Sequence, residues 1–197
     1  MRHYYTDNSD LISESHSFTF TYQTKNIVFT TDRGVFSKQM IDYGTRVLLS
    51  SIRINKHHQH ILDVGCGYGG LGISLKVANP HIKVDLVDIN SRALTLCKYN
   101  IEQNKLPDMH VYYSDIYEQV TGCYDMILSN PPIRAGKKVV QTILKDSYTH
   151  LKDTGELWIV IQKKQGAPSA MKMMEAIFNN VTIVKRDKGY YVLKAVK

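Results

Sequence analysis

The run Ile61-Leu62-Asp63-Val64-Gly65-Cys66-Gly67-Tyr68-Gly69 constrains this chain more than any other. An apolar stretch carrying Asp63 and opening into closely spaced glycines reads as a buried parallel strand turning sharply into a helix. Small residues at such a turn let backbone amides approach a ligand, so the spacing marks a nucleotide-type site without saying which nucleotide. Gly65, Gly67 and Gly70 also satisfy G-x-G-x-x-G. Asp88 closes the next apolar run about 20 residues on, where a ribose-binding acid is expected. The loop alone therefore leaves a nicotinamide oxidoreductase open.

A second feature narrows the choice. Tyr124 to Leu128 reads as another buried strand, and Ser129-Asn130-Pro131-Pro132-Ile133 follows at its carboxyl end, the edge of an open α/β sheet where ligands bind. Two successive prolines fix φ and remove N–H donors, so the segment presents carbonyl oxygens and the Asn130 amide in a rigid array. Such acceptors can hold an exocyclic NH2 with its lone pair aimed at an electrophilic methyl. Hydride transfer has no evident use for them.

These residues resemble a known family. Asp63-x-Gly65-x-Gly67-x-Gly69, Asp88 and Asn130-Pro131-Pro132-Ile133 are similar to the signature of class I S-adenosylmethionine-dependent methyltransferases acting on planar amines. More narrowly, Gly34-Val35-Phe36-Ser37, Asp42-Tyr43-Gly44-Thr45, the run from Asn130 to Gly136 and Gln162-Lys163-Lys164-Gln165-Gly166-Ala167 resemble the small-subunit ribosomal RNA guanine-N2 methyltransferase-like family, over nearly the whole chain from about Phe18 onward. The resemblance implies S-adenosylmethionine as cofactor and small-subunit ribosomal RNA or the ribosomal subunit as partner. It also implies that Asp63 meets the methionine ammonium, that Asp88 accepts from both ribose hydroxyls, and that Asp115 faces the adenine amino group with Ile116 or Tyr117 against the ring. Asn130 and the carbonyl of Pro131 would grip the target amine. The alternative for Asp88 is a helix cap and for Asp115 a turn or cap residue.

Related amine methyltransferases often carry Tyr or Phe where this chain has Ile133. Ile offers no aromatic face, so Phe36 is a candidate for stacking on the target base or covering the methionine end of the cofactor; a plain core role is the alternative.

Composition sets outer bounds. At 197 residues and 43% hydrophobic content the chain suffices for one domain, 1–197, with a loosely held arm over 1–16, a hairpin and helix over 17–52 and a core over 57–197. Its three cysteines form no C-x-x-C pair, and no leader or bilayer-spanning run is seen, which points to a reduced, cytoplasmic protein, monomeric or homodimeric. The net charge of +7 is unevenly placed: residues 134–197 hold 13 Lys and Arg against 5 Asp and Glu, whereas residues 1–133 hold 12 against 13. Arg134, Lys137, Lys138, Lys163 and Lys164 follow strand ends at the expected ligand edge and read as phosphate contacts to RNA. His57-His58-Gln59-His60 has no Cys or acidic partner at ligand spacing, so no metal site is expected.

Periodicity supplies the architecture. Strand alternation over 17–22 and 27–30 predicts a hairpin around 23–26, followed by a helix capped near Ser37 and interrupted by Gly44, where something must pack close. Strands over 60–64, 83–88, 109–114, 124–129 and 156–162 alternate with helices over 69–78, 91–104, 137–151 and one entered at Pro168. Two final strands flank Asp187-Lys188-Gly189. The expectation is an α/β, doubly wound, mainly parallel seven-stranded sheet closed by a C-terminal antiparallel hairpin, as in the Rossmann-like methyltransferases, preceded by an N-terminal hairpin and helix. Rival readings are transfer to adenine N6 or a protein glutamine, and a cofactor-binding RNA-binding module without turnover.

Overall fold

The computed structural model describes residues 14–197 apart from Gly34, Phe36, Lys38, Gln39 and the Arg134 side chain. The expected arm lies outside the described residues as far as position 13; Glu14 N–H donates to Asp32, and His16 already begins the first strand. Strands β1 (His16–Tyr22) and β2 (Lys25–Thr31) pair antiparallel with Tyr22 opposite Lys25, so the connecting turn is two residues rather than four, with Gln23 at φ +54°. Then follow α1 (Tyr43–Ser51), β3 (His60–Val64), α2 (Gly70–Ala78), β4 (Lys83–Asp88), α3 (Ser91–Gln103), β5 (Met109–Tyr113), β6 (Tyr124–Ser129), α4 (Lys137–His150), β7 (Leu151–Gln162), α5 (Ala167–Glu175), β8 (Asn180–Asp187) and β9 (Tyr190–Val196).

The main sheet has the order β5-β4-β3-β6-β7-β9-β8, parallel from β5 to β7 and antiparallel where β9 joins β7 and β8. This is the expected seven-stranded sheet with its closing hairpin. Chain order reverses between β3 and β6, and at such a switch point the carboxyl ends of the strands leave a crevice. Successive residues of β6 and β7 enter opposite cores, as a sheet covered on both faces requires. Met126, Leu128, Trp158 and Val160 pack with α1, α2, α3 and the hairpin; Ile127, Leu157, Ile159 and Ile161 pack with α4 and α5.

Three boundaries differ from expectation. Helix α1 starts at Tyr43, not near Ser37, because Asp42 caps it by accepting from Thr45 N–H, while Ser37 sits at φ +58° with its hydroxyl donating to Met40 O. Gly44 consequently falls in the first turn. Strand β7 begins at Leu151 because that residue pairs with Tyr124 before the register shifts and Glu156 pairs with Met126. Helix α5 ends at Glu175, so Ile177 and Phe178 lie beyond it, with Phe178 buried and its N–H donating to Met174 O.

The free edge of β2 is closed by side chains rather than by another strand. Asn100 of α3, fully buried, accepts from Thr30 N–H at 2.7 Å and donates to Thr30 O and Tyr68 O, both at 3.0 Å. Asn104 accepts from Val28 N–H and donates to Val28 O, which also accepts from Gln103. Amides placed one turn apart thus pair an otherwise open strand edge and dock the hairpin on the glycine loop. Asn100→Ala leaves backbone groups of Thr30 and Tyr68 unpaired in the core, and stability is expected to fall by about 3 kcal/mol. Urea unfolding followed by circular dichroism checks this, with Asn104→Ala, at the exposed end, costing about 1 kcal/mol.

Candidate active site

A cavity of ≈ 190 Å³ opens at the switch point, lined by the loop after β3, the end of β4, the turn after β5 and the segment after β6. It brings together Asp63, Gly65, Gly67, Asp88, Asp115, Ile116, Asn130, Pro131 and Pro132. Gly65, Gly67 and Gly69 all adopt positive φ (+74°, +57° and +93°), a conformation costly for residues with a Cβ, which is why the loop is built of glycine. Gly69 itself is the N-cap of α2 and is not part of the lining.

The carboxylates hold this loop from two sides. Asp88 Oδ2 accepts from Gly67 N–H at 2.8 Å and Oδ1 from Asn90 N–H at 2.9 Å, leaving further lone pairs toward the cavity. Asn90, not Asp88, caps α3. Asp63, only 1% exposed, accepts from Gly72 N–H at 2.9 Å, so it anchors the first turn of α2 rather than the glycines themselves. Burial pushes its carboxyl up to about 7, opposed by the Gly72 hydrogen bond and reinforced by the charge of Asp88. Burial also raises Asp88, against the backbone N–H groups that stabilise its anion. Among the described residues neither has an ion-pair partner.

Beyond β5, Ile116 sits at φ +53°, rare and strained for a β-branched side chain, and its carbonyl accepts from Ser114 Oγ. That conformation turns it into the cavity wall. Tyr117 does not share the role: its ring stacks on His150 and its hydroxyl donates to Ile143 O within the second core. Asp115 is exposed at the cavity rim.

Asn130 has a fixed orientation. Its Nδ2 donates to Asp42 Oδ1 and to Thr45 Oγ1, each at 3.0 Å. Both amide protons are thereby used, and Oδ1 is left to accept at the cavity. Sequence reasoning missed Asp42 and Thr45 as partners of Asn130, 88 and 85 positions away; the signals were an acid three residues before Thr, a capping pattern, and the place of Asp42-Tyr43-Gly44-Thr45 among the runs that carry the family resemblance, neither of which names the partner. The packing expected at Gly44 is found: a Cβ there would stand 3.0 Å from Tyr190 Cε1 and 3.4 Å from Asn130 Nδ2.

Other expected site residues lie outside the cavity. Ile133 opens a 3-10 turn (Ile133–Ala135) and packs on the second core. Lys137 and Lys138 are exposed in the first turn of α4, which carries no acid and no side-chain cap; Lys163 and Lys164 are exposed in the turn after β7. Phe36 and the Arg134 side chain lie outside the described residues. His58 and His60 face Glu156 and Asp85.

Four aspartates, Asp42, Asp63, Asp88 and Asp115, line the cavity, and no Lys, Arg or His does so among the described residues. That donor set suits a ligand carrying positive charge and hydroxyl groups, approached by glycine backbone. Residues 26–194 match the methyltransferase small domain family, and the chain belongs to it. The cofactor of this class is S-adenosylmethionine, whose sulfonium, ammonium and ribose fit an acidic cavity.

Among relatives, the chain is 45% identical over 197 residues to the uncharacterized protein YbxB of Bacillus subtilis, covering 99% of this chain and 98% of that one. It is 30% identical to ribosomal RNA small subunit methyltransferase C of Erwinia tasmaniensis, covering 93% of this chain and 54% of the relative. The same-named protein of Buchnera aphidicola subsp. Cinara cedri is 37% identical over 91% and 52% of the two chains. This chain thus spans about half the length of those methyltransferases. The fold is that of a Thermus thermophilus 16S rRNA N2 G1207 methyltransferase solved with AdoMet and guanosine, with a TM-score of 0.83 at 23% identity over 93% of this chain and 50% of that one.

Asp63 binds its proton more tightly folded, at about 7, than at its ordinary 3.8. Stability of the ligand-free protein should therefore fall as pH rises from about 4 to about 7 and level off above, by about 4 kcal/mol from this group. In Asp63→Asn that component is absent, so the stability difference between variant and wild type should shift toward the variant across this window. A difference independent of pH in urea titrations would contradict it.

Proposed function

We propose that this protein transfers a methyl group from S-adenosylmethionine to an exocyclic amine, namely guanine N2 of small-subunit ribosomal RNA. The observation that carries the reading is the Asn130 amide, locked by Asp42 and Thr45, with its oxygen given no hydrogen bond by the described residues, at a cavity suited to the cofactor. When bound, the cofactor supplies an electrophilic methyl on a positively charged sulfur. Asp63 and the backbone of Gly65 and Gly67 would hold its methionine end, Asp88 would take the ribose hydroxyls, and Asp115 with Ile116 would border the adenine, while Gly69 shapes the loop as the N-cap of α2.

The chain's own contribution is then positioning. Asn130 Oδ1 and the Pro131 carbonyl accept from the two protons of the amine and fix its nitrogen, while Pro132 keeps the segment rigid. A guanine amino group is a poor nucleophile because its lone pair is delocalised into the ring. Acceptors that pull on its protons favour the pyramidal, charge-bearing transition state over the flat ground state. The proton can leave after transfer, so no dedicated base is required.

The RNA assignment is supported by the exposed lysines in the segments that follow β6 and β7. Lys137 and Lys138 stand at a helix N-terminus, where the dipole disfavours cations by roughly 0.3–1 kcal/mol each. First-turn N–H groups without a side-chain cap among the described residues, together with two lysines, would suit a phosphate. With Arg134, Lys163 and Lys164 they would contact the RNA backbone and contribute affinity without sequence choice. The named relatives, ribosomal RNA small subunit methyltransferases, agree in substrate class.

Labelled methyl from S-adenosylmethionine should appear in a methylated guanosine when small-subunit RNA or assembled subunits are offered, and not in DNA or protein. Asn130→Ala should lower kcat at least 100-fold, the scale for loss of a key transition-state hydrogen bond, with cofactor affinity retained. Label in protein or in adenosine would move the acceptor to a glutamine or to adenine N6; cofactor binding without label anywhere would favour a non-catalytic module.

Thr45→Val keeps the shape of α1 but removes one of the two groups orienting Asn130. A fall in kcat of about 10-fold without a matching rise in cofactor Kd is expected, on the scale of one hydrogen bond.

A further inference from the structure

We propose that Tyr43 and Tyr190 form a stacking subsite for a nucleobase next to the acceptor guanine in the RNA strand. The inference rests on the RNA reading above and adds a second point of grip. Tyr43 is the first residue of α1 and Tyr190 the first of β9, and their rings lie 5.6 Å apart at 48°. Both are half-buried against the first core.

Their position ties them to the amine clamp. Tyr190 Cε1 and Asn130 Nδ2 both come within 3.4 Å of the point where a Cβ on Gly44 would sit, so glycine at this position lets the ring and the amide share one spot beside the helix. Tyr43 directly follows Asp42, whose carboxylate fixes Asn130. A base adjoining one held at Asn130 would meet this pair.

The surroundings are cationic. Arg46 and Lys188, both exposed, stand over the Tyr43 ring at 5.3 and 5.2 Å from its centroid. Lys163 N–H donates to Gly189 O at 2.8 Å, which ties the Lys163–Lys164 turn to the tip of the β8–β9 hairpin. Asp187 is engaged: it accepts from Tyr43 OH at 2.9 Å and faces Lys185 at 3.8 Å. An exposed cation over a half-buried tyrosine is held more weakly than a base stacked on that ring. The arriving strand can therefore exchange partners, with the base taking the aromatic face and Lys188 and Arg46 turning to flanking phosphates. Aromatic faces amid lysine and arginine are the usual means of holding single-stranded nucleic acid without reading its sequence. Ile133, packed on the second core away from the cavity, supplies no such face.

The test uses the full chain and a single-stranded small-subunit RNA oligonucleotide carrying 2-aminopurine beside a guanosine. Wild type should quench the probe on binding. Tyr190→Leu and Tyr43→Leu should each weaken binding between about 5- and 100-fold and relieve the quenching, while the Phe variants stay within about twofold of wild type. Cofactor affinity and melting temperature, measured in the same variants, report that the fold is retained. Lys188→Ala should lower the slope of log affinity against log salt by about 0.7, the value for one phosphate contact to a single strand, and the Tyr variants should leave that slope unchanged. RNA bound with wild-type affinity and quenching by both folded Leu variants would overturn the subsite and leave the RNA reading standing. Failure of wild type to bind RNA, with cofactor bound normally, would overturn both.

Discussion

The site depends on how closely α2 lies against the sheet. A Cβ on Gly72 would stand 2.9 Å from Leu86 Cδ2 and 3.2 Å from Asp63 Oδ2, so the helix can seat there only without a side chain. That contact sets where the helix begins, and hence the path left to the loop from Gly65 to Gly69. The loop amides then have fixed partners: Gly65 and Cys66 N–H donate to Val87 O, and Gly67 N–H donates to Asp88. Geometry at the loop is inherited from the β3–β4 pair and does not need a ligand to create it. The penalty is electrostatic, since a carboxylate with almost no exposure must be protonated or neutralised by something arriving in the cavity. A cationic cofactor would supply that neutralisation, which couples its binding to the ionisation of Asp63.

A different kind of preorganisation governs the acceptor side. The oxygen and nitrogen of an asparagine amide are nearly isosteric, so shape alone does not decide which faces a ligand. Here the partner decides: Asp42 Oδ1, which already accepts from Thr45 N–H, accepts here too, and it therefore selects the NH2 end of Asn130. Thr45 takes the second proton and Pro131 follows without a donor of its own. Under the proposed function the clamp is then all acceptor, complementary to an amine and repellent to a carbonyl. Guanine carries both groups on one edge with N1–H between them, and such a clamp would distinguish its N2 from its O6 by hydrogen-bond polarity.

Much of this was legible because it is local. Parallel strands buried on both faces produce apolar runs, and Asp63-x-Gly65-x-Gly67-x-Gly69 and Asn130-Pro131-Pro132 carry their backbone requirements in their own residue types. What escaped depends on partners far away in the chain. The start of α1 was misread because Ser37 and Asp42 are both good caps, and the hydrogen bond that selects Asp42 forms only in the fold. Asn100, Gln103 and Asn104 look like solvated helix positions until β2 is laid beside them. Tyr117 and Ile116 are indistinguishable as cavity walls in sequence; the positive φ at Ile116 and the stacking of Tyr117 on His150 separate them. The Tyr43–Tyr190 pair joins two ends of the molecule and leaves no periodic trace.

The charge pattern suggests how a polyanion could be admitted to an acidic cavity. Its lining has four aspartates, from the buried Asp63 to Asp115 at the rim, and no cation among the described lining residues; Arg46 of α1, Lys137 and Lys138 at the start of α4, Lys163 and Lys164 after β7 and Lys188 between β8 and β9 are all exposed. With screening over about 8–10 Å at physiological salt, a phosphate near the lysines feels them strongly and the buried carboxylates less. A phosphate moving inward would meet the reverse. The field therefore favours a strand lying along the rim with its backbone outside and one uncharged base turned in toward Asn130. Unstacking that base costs least where the RNA is already single-stranded, and the same field that attracts any RNA would then select, among bases within it, those free to leave the stack.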